Sequence, residues 1–475
     1  MRPNCPSLGI SIAPLAVLLL FLPGIIIARG ADAVAETGPW ILLFCAILSV
    51  ALAAICGTAT RRGLLVGLRR SAVQILPAVP ILVCIAMIAT SWMMSGVVPA
   101  MICYGLEILS PSLFLMLTCV VCAMISILTG SSWTTIATIG VAFMGIGQVM
   151  GYSDAWIAGA IISGAYFGDK VSPLSDTTVV ASSAAGVDLF KHIRYLMVTT
   201  IPSIVIALAV YLGVGLFSTP TEATDPSGMD AALRSAFNIT PWVLLIPAIT
   251  ITLILLRVRT FVVLLVAAVL GVAGIFIYQP QLGIGLSESI TSLWSGFVPA
   301  TGLPQLDDLA TTGGILGMGS TIFLVLCAML FGSAMIGTGM LNRITEAFTA
   351  SLRRRTSIVG ATVGSGLAMN CLTADQYLSL IITGNMYRNL YRRFGLEPRL
   401  LSRSMEDAVS VTSVLIPWNS CGVTQSTVLG VSTLVYFPCC IFNILSPLMS
   451  LFIAYIGYRI PAPSGTPATV AADRA

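Results

Sequence analysis

Residues 164–188 read GAYFGDKVSPLSDTTVVASSAAGVD. The run lies among apolar stretches, where a membrane helix should pass, yet it holds Asp169, Lys170, Pro173, Asp176 and a row of hydroxyls. One carboxylate at the centre of a spanning helix costs about 2.5–3.5 kcal/mol. Pro173 interrupts a helix and frees a carbonyl, while Gly164 and Gly168 allow close packing. Irregular backbone at this depth persists only when buried in protein or lining a watery cavity. The segment reads as a broken helix serving a polar site.

The rest of the chain agrees with a membrane setting. Its 475 residues are 57% hydrophobic and 9% charged, with mean hydropathy +0.98. A soluble domain carries about a quarter charged residues, so the expected fold is one all-α, polytopic membrane unit over 1–475. A span needs about 20 apolar residues. Such runs cover 8–28, 39–57, 71–93, 112–130, 131–151, 153–168, 195–217, 238–256, 260–279, 314–340 and 433–458, whereas 169–188, 357–387 and 404–432 are too irregular. About twelve spans plus broken or re-entrant helices follow. The layout suggests halves at 71–217 and 314–459, a connecting region 218–313 with two spans, and a cytoplasmic tail at 460–475. The first run offers only Arg2 ahead of a long apolar core, which favours a first transmembrane helix over a signal peptide.

Basic residues orient the chain. With the N-terminus inside, Arg61, Arg62, Arg69, Arg70, Lys191, Arg194, Arg257, Arg259, Arg343, Arg353–Arg355 and the arginines from 388 to 403 fall inside, as does Arg459. Only Arg29 and Arg234 fall outside, and Lys170 lies within the membrane. The acidic loops with Asp32 and Glu36, with Glu222, Asp225 and Asp230, and with Glu288, Asp307 and Asp308 fall outside. Both termini are then cytoplasmic.

A second irregular region lies at 370–432, where NCLTADQYLSL carries Asn370, Thr373 and Asp375. SMEDAVSVTSVLIPWNSCGVTQS follows with Glu406, Asp407, Pro417, Trp418, Asn419 and Ser420. Pro173-Leu174-Ser175-Asp176 parallels Pro417-Trp418-Asn419-Ser420. The charge pattern runs 153–188 from outside to inside and 404–432 from inside to outside, as in inverted repeats of carriers. In such folds the site lies where two discontinuous helices meet. Carbonyls, hydroxyls and a carboxylate are hard oxygen ligands suited to Na+. Competition between a cation and a proton for one aspartate is the simplest chemical basis for exchange. Lys170 beside Asp169 suggests a pair that holds Asp169 ionised, leaving Asp176 among hydroxyls as the titrating ligand.

At these residues the sequence resembles the NhaC family of Na+/H+ antiporters, within the ion-transporter superfamily of inverted-repeat carriers. The resemblance rests on GSSWTT (130–135), GAYFGDKVSPLSDTT (164–178), GVDLFKHIRY (186–195) with TTIPS (199–203), LSRSMEDAVSVTSVLIPWNSCG (401–422) and LGVSTLVYFP (429–438). It implies alternating access in a bacterial inner membrane, with Na+ or Li+ exchanged for H+. Relatives that exchange malate for lactate make a coupled organic-acid exchanger the alternative, with Lys170 as the one intramembrane base for an anion. The chain departs from the family at Val179-Val180-Ala181, at Ser131 and at Ala408-Val409-Ser410. Homodimers occur in the superfamily, and no cofactor or resident metal is implied.

The candidate ion or proton ligands are Asp169, Asp176, Ser172, Ser175, Thr177, Thr178, Asp375, Glu406, Asp407, Asn419 and Ser420. Lys170, Pro173, Ser132, Trp133, Thr134, Asn370, Thr373, Pro417 and Trp418 would support them. Each has a plainer reading: Trp133 and Trp418 as packing, the hydroxyls as helix back-bonding, and Glu406-Asp407 as acids at a cytoplasmic helix start. Glu107 and Asp154 read as interfacial and His192 as a surface histidine. Nucleic-acid binding lacks a basic face in water, and the Cys119/Cys122 pair sits in an apolar run without polar partners. A membrane hydrolase would need a base beside its nucleophile, and the single histidine is far from any candidate serine. Paired broken helices also disfavour a continuous channel.

Overall fold

The computed structural model describes residues 6–29, 33–76, 78–217, 226–299, 307, 311–350 and 355–457. The expected tail at 460–475 lies outside the described residues. So do Arg2, Asp32, Glu222, Asp225, Asp308, Arg353, Arg354, Arg459 and Arg474. Among the described residues the fold is helical, with a single isolated bridge between Phe297 and Thr312.

The order is α1 (Leu8–Arg29), α2 (Ala33–Ile55), α3 (Arg61–Ile75), α4 (Ala78–Met94), α5 (Val97–Ile108), α6 (Phe114–Thr129) and α7 (Ser132–Val149, with a π turn at Ile136–Gly140). Then come α8 (Asp154–Val171), α9 (Asp176–Ala185), α10 (Leu189–Phe217), α11 (Pro226–Ala236), α12 (Leu245–Leu255), α13 (Thr260–Tyr278) and α14 (Leu286–Ser295). The second half has α15 (Gly314–Gly337), α16 (Met340–Ala350), α17 (Arg355–Thr373), α18 (Gln376–Arg393), α19 (Pro398–Met405) with a π turn at Glu406–Ser410, α20 (Ser420–Leu429) and α21 (Ile441–Ile456).

Six described helices are long and apolar enough to cross a membrane, or nine if each of three bent pairs counts as one. This is a multi-pass membrane protein. The count is lower than the twelve expected because apolar length is divided among half-helices. The run at 71–93 is one case: α3 ends at Ile75, α4 starts at Ala78, and α4 and α5 bend by 67°.

Two hairpins, α6–α7 and α17–α18, each close on a discontinuous helix, α8/α9 and α19/α20 respectively. Gly164 and Gly168 let α8 lie directly on α6. A Cβ there would stand 2.2 Å from the carbonyl oxygen of Cys119 and 2.4 Å from that of Ala123. Small residues at a four-residue spacing bring membrane helices this close, and Cys119 and Cys122 are buried packing residues in that contact.

Candidate functional site

Each hairpin turns on the same sequence of interactions. In the first, Gly130 takes φ +65° and Ser131 caps α7 by accepting from the Thr134 amide at 3.2 Å. Thr129 brackets the turn, donating to Ser131 O at 3.2 Å and accepting from its amide at 3.1 Å. In the second, Ala374 takes φ +53° and Asp375 caps α18 through the Leu378 amide at 2.8 Å. Thr373 there donates to Asp375 O at 3.0 Å and accepts from its amide at 3.3 Å. Deeper in the arms, Ser126 donates to Ala165 O at 2.6 Å, and Asn370 donates to Val409 O at 2.8 Å.

The broken helices match as well. Ser175 and Asn419 are the N-caps of α9 and α20, each ten residues long and each closed by a left-handed glycine, Gly186 and Gly430. Ser126 and Asn370, Thr129 and Thr373, Ser131 and Asp375, Ser175 and Asn419, and Gly186 and Gly430 are all 244 residues apart. One register relating two hairpins and two breaks is an internal duplication. With the charge partition, its copies run in opposite senses.

Gly130 stands where a side chain is barred twice. Its φ is left-handed, and a Cβ would lie 2.6 Å from the carbonyl carbon of Leu174 in the facing break. Gly130→Ala should therefore destabilise the protein by about 1–2 kcal/mol and lower flux. Ala374→Gly should leave the thermal midpoint near that of the wild type. A Gly130→Ala protein melting with the wild type would remove the strain argument.

The first tip and first break enclose Asp169, which is 7% exposed. Ser132 donates to its Oδ2 at 2.7 Å and Ser175 to its Oδ1 at 2.5 Å. Ser175 and Thr177 share a 2.9 Å hydrogen bond, Thr178 donates to Lys170 O at 3.1 Å, and Ser172 donates to Ile127 O at 2.7 Å. The pocket opens into a cavity of about 630 Å³, whose walls include Thr129, Trp133, Thr134, Asp176, Arg257 and Arg259. A carboxylate ringed by hydroxyls and turn carbonyls is a donor set for a hard cation.

The second tip gathers Asp375, Thr373, Asn370, Trp418, Asn419 and Ser420. Ser420 donates its amide to Ala374 O at 2.9 Å and its hydroxyl to Asp375 Oδ2 at 3.4 Å. Trp418 donates to Cys371 O at 3.0 Å, and Asn419 to Asn370 O at 3.1 Å. Pro173 is exposed and Pro417 half-buried, each one residue before the position that meets the facing tip.

Three expectations change. Lys170 does not pair with Asp169. It forms an ion pair with Asp407 and donates to Ser446 at 2.8 Å. Consecutive helix residues do not face each other, so one side chain points to the cavity and the other to the second half. Asp176 is exposed at the cavity wall, and the hydroxyls of Ser175 and Thr177 beside it bond to Asp169 and to each other instead. His192 is buried, while its neighbours Lys191 and Arg194 are exposed. Glu107 accepts from Arg234 at 2.7 Å and Asp154 from Gln148 at 2.9 Å. Glu406 and Asp407 are fully buried in the π turn and begin no solvent-facing helix.

Sequence reading missed Gln376 and Tyr377, which bring the second hairpin to the cavity wall. The signal was present, since Gln376-Tyr377 takes the register of Ser132-Trp133 behind the tip.

Comparison with known proteins identifies the line of descent. A profile of the Na+/H+ antiporter family matches residues 9–196 and 164–458. The chain belongs to the Na+/H+ antiporter family. It is 36% identical to the Na+/H+ antiporter NhaC of Alkalihalophilus pseudofirmus, over 80% of this chain and 82% of that protein. It is 32% identical to the NhaC of Bacillus subtilis, over 93% of this chain and 98% of that one. A third family relative, the malate-2H+/Na+-lactate antiporter of Bacillus subtilis, is 33% identical over 80% of this chain and 81% of its own length.

Proposed function

We propose that this antiporter-family protein exchanges Na+ or Li+ for H+ by alternating access in a bacterial inner membrane, with 71–217 and 314–459 as its two working halves. The observation that carries the reading is the Asp169 pocket: a buried carboxylate held by two hydroxyls at a helix break, open to a cavity on one side. Both NhaC relatives support Na+ and H+ as the ions.

In this reading Arg257 and Arg259 are cytoplasmic, together with both termini, which the charge partition supports. These two arginines line the cavity, so the arrangement faces inward. A cation would reach Asp169 from the cytoplasm and leave after the breaks reorient.

A second reading draws on the same cavity. About 630 Å³ falls in the range of organic-ligand pockets, and the two wall arginines carry the charge that complements a carboxylate, the chemistry of the malate and lactate named for one relative. Proton flux in everted vesicles, challenged in turn with Na+, Li+, K+, malate and lactate, separates the two. Na+ or Li+ alone should collapse the proton gradient. A response to malate or lactate and to no inorganic cation would overturn Na+/H+ exchange in favour of the organic-acid reading.

A further inference from the structure

Beside the cation pocket lies a second cluster of charges, fully inside the protein. Lys170 comes from α8, Arg403, Glu406 and Asp407 from α19 and its π turn, His192, Tyr195 and Thr199 from α10, and Ser446 from α21. Asp407 Oδ1 accepts from Lys170, from Ser446 at 2.9 Å and from Thr199 at 3.1 Å. Arg403 lies over the Tyr195 ring at 5.0 Å, with its Nε 4.0 Å from Asp407 Oδ2. Glu406 differs from Asp407 next to it. It is wholly buried and, among the described residues, its oxygens make no ion pair and no close hydrogen bond, the Ser410 hydroxyl being the polar group that acts on it.

We propose that the exchanged proton is carried on Glu406, at a site separate from the cation pocket, and that the two sites communicate through the adjacent residues Asp169 and Lys170. The proposal rests on the Na+/H+ reading above and adds where the proton sits. A buried carboxylate without an ion-pair partner is tolerated as the neutral acid and costs many kcal/mol as the anion. The charged groups acting most strongly on Glu406 are Lys170, Asp169 and Asp407. Among the other elements packed on the π turn, α18 carries Tyr387, Tyr391 and Arg388, and α9 begins with Asp176. α10 contributes His192 and Tyr195.

Charge balance then couples the ions. With the cation pocket empty, Lys170 and Arg403 offset Asp407 and Asp169, so the group is neutral only if Glu406 keeps its proton. When Na+ neutralises Asp169, neutrality requires Glu406 to ionise, its O–H bond breaking and the proton passing to water. States with both ions bound, or neither, leave one net charge buried, which the low-dielectric interior penalises. One Na+ exchanges for one proton, and the carboxylate that binds the metal is not the one that carries the proton. The π turn gives Glu406 its place, since it displaces one residue from the regular helix, as such turns often do at functional positions.

The experiment adds NaCl to purified protein in detergent and weak buffer, reads protons released with an indicator dye, and measures Na+ binding in parallel. The wild type should release about one proton per Na+ bound, the ratio that charge neutrality sets. Glu406→Gln should bind Na+ more weakly and, at saturating NaCl, release at least tenfold fewer protons per Na+ bound, and Glu406→Asp should restore release. Glu406→Gln releasing protons like the wild type overturns this proposal and leaves Na+/H+ exchange standing. A wild type that binds Na+ without releasing protons overturns both. If Glu406→Gln does not fold, Na+-induced infrared difference spectra of the wild type decide the matter. Loss of a protonated-carboxyl band that shifts in Glu406→Asp supports Glu406, and absence of that band overturns it.

Discussion

Lys170→Met should be among the most damaging single substitutions outside the cation pocket, lowering stability by about 3–5 kcal/mol and abolishing exchange. Methionine fills the volume of the stem against Phe442, whose ring lies 5.6 Å from the ammonium. The loss is therefore electrostatic. Asp407 would keep Ser446 and Thr199 as donors but lose its counter-charge while fully buried. Removing one partner of a buried pair is costly, whereas replacing both by apolar residues of similar size is close to neutral. Lys170→Met/Asp407→Leu should regain most of the lost stability without regaining transport. Thermal melts in detergent for the two single variants and the double variant close the cycle. A Lys170→Met protein within about 1 kcal/mol of the wild type, small against the usual cost of a broken buried pair, would show that the pair does not hold the halves together.

Much of this architecture is legible in the amino-acid sequence itself. Pro173, Asp169 and Asp176 amid apolar residues mark a break, because nothing else at that depth tolerates them. The parallel between Pro173-Leu174-Ser175-Asp176 and Pro417-Trp418-Asn419-Ser420 sets the register that the structure extends over both hairpins. The hairpin tips are harder to read, because equivalent positions perform one task with different chemistry. Ser126 and Asn370 both donate to a helix carbonyl, Ser131 and Asp375 both cap a helix, and Gly130 and Ala374 both take a left-handed turn. Letter identity hides such pairs, and hydrogen bonding reveals them. The partner of Lys170 is not legible at all. Helix geometry separates it from Asp169, but Asp407 lies 237 residues away, and only packing of the two halves selects it. The burial of His192 likewise depends on how α10 lies against α19.

Asp169→Asn is expected to have the largest effect on cation handling, and its contrast with Asp176→Asn tests which carboxylate binds. Both oxygens of Asp169 accept hydroxyl hydrogen bonds, from Ser132 at 2.7 Å and Ser175 at 2.5 Å. Asparagine keeps the shape, yet it removes the charge and turns an NH2 toward one of those donors. A hydrogen bond to a charged group is worth about 1.5–3 kcal/mol, and the direct attraction to the cation is lost as well. Na+ affinity should fall at least about 100-fold, or about 2.7 kcal/mol, with exchange no longer detectable. Asp176 is exposed at the cavity wall that Arg257 and Arg259 also line, where salt screens its charge. Asp176→Asn should cost only a few-fold in apparent Na+ affinity, with the deficit shrinking as ionic strength rises. Na+ titrations of both variants at low and high choline chloride separate these outcomes. Equal losses in the two variants, or a larger one in Asp176→Asn, would return the binding role to Asp176.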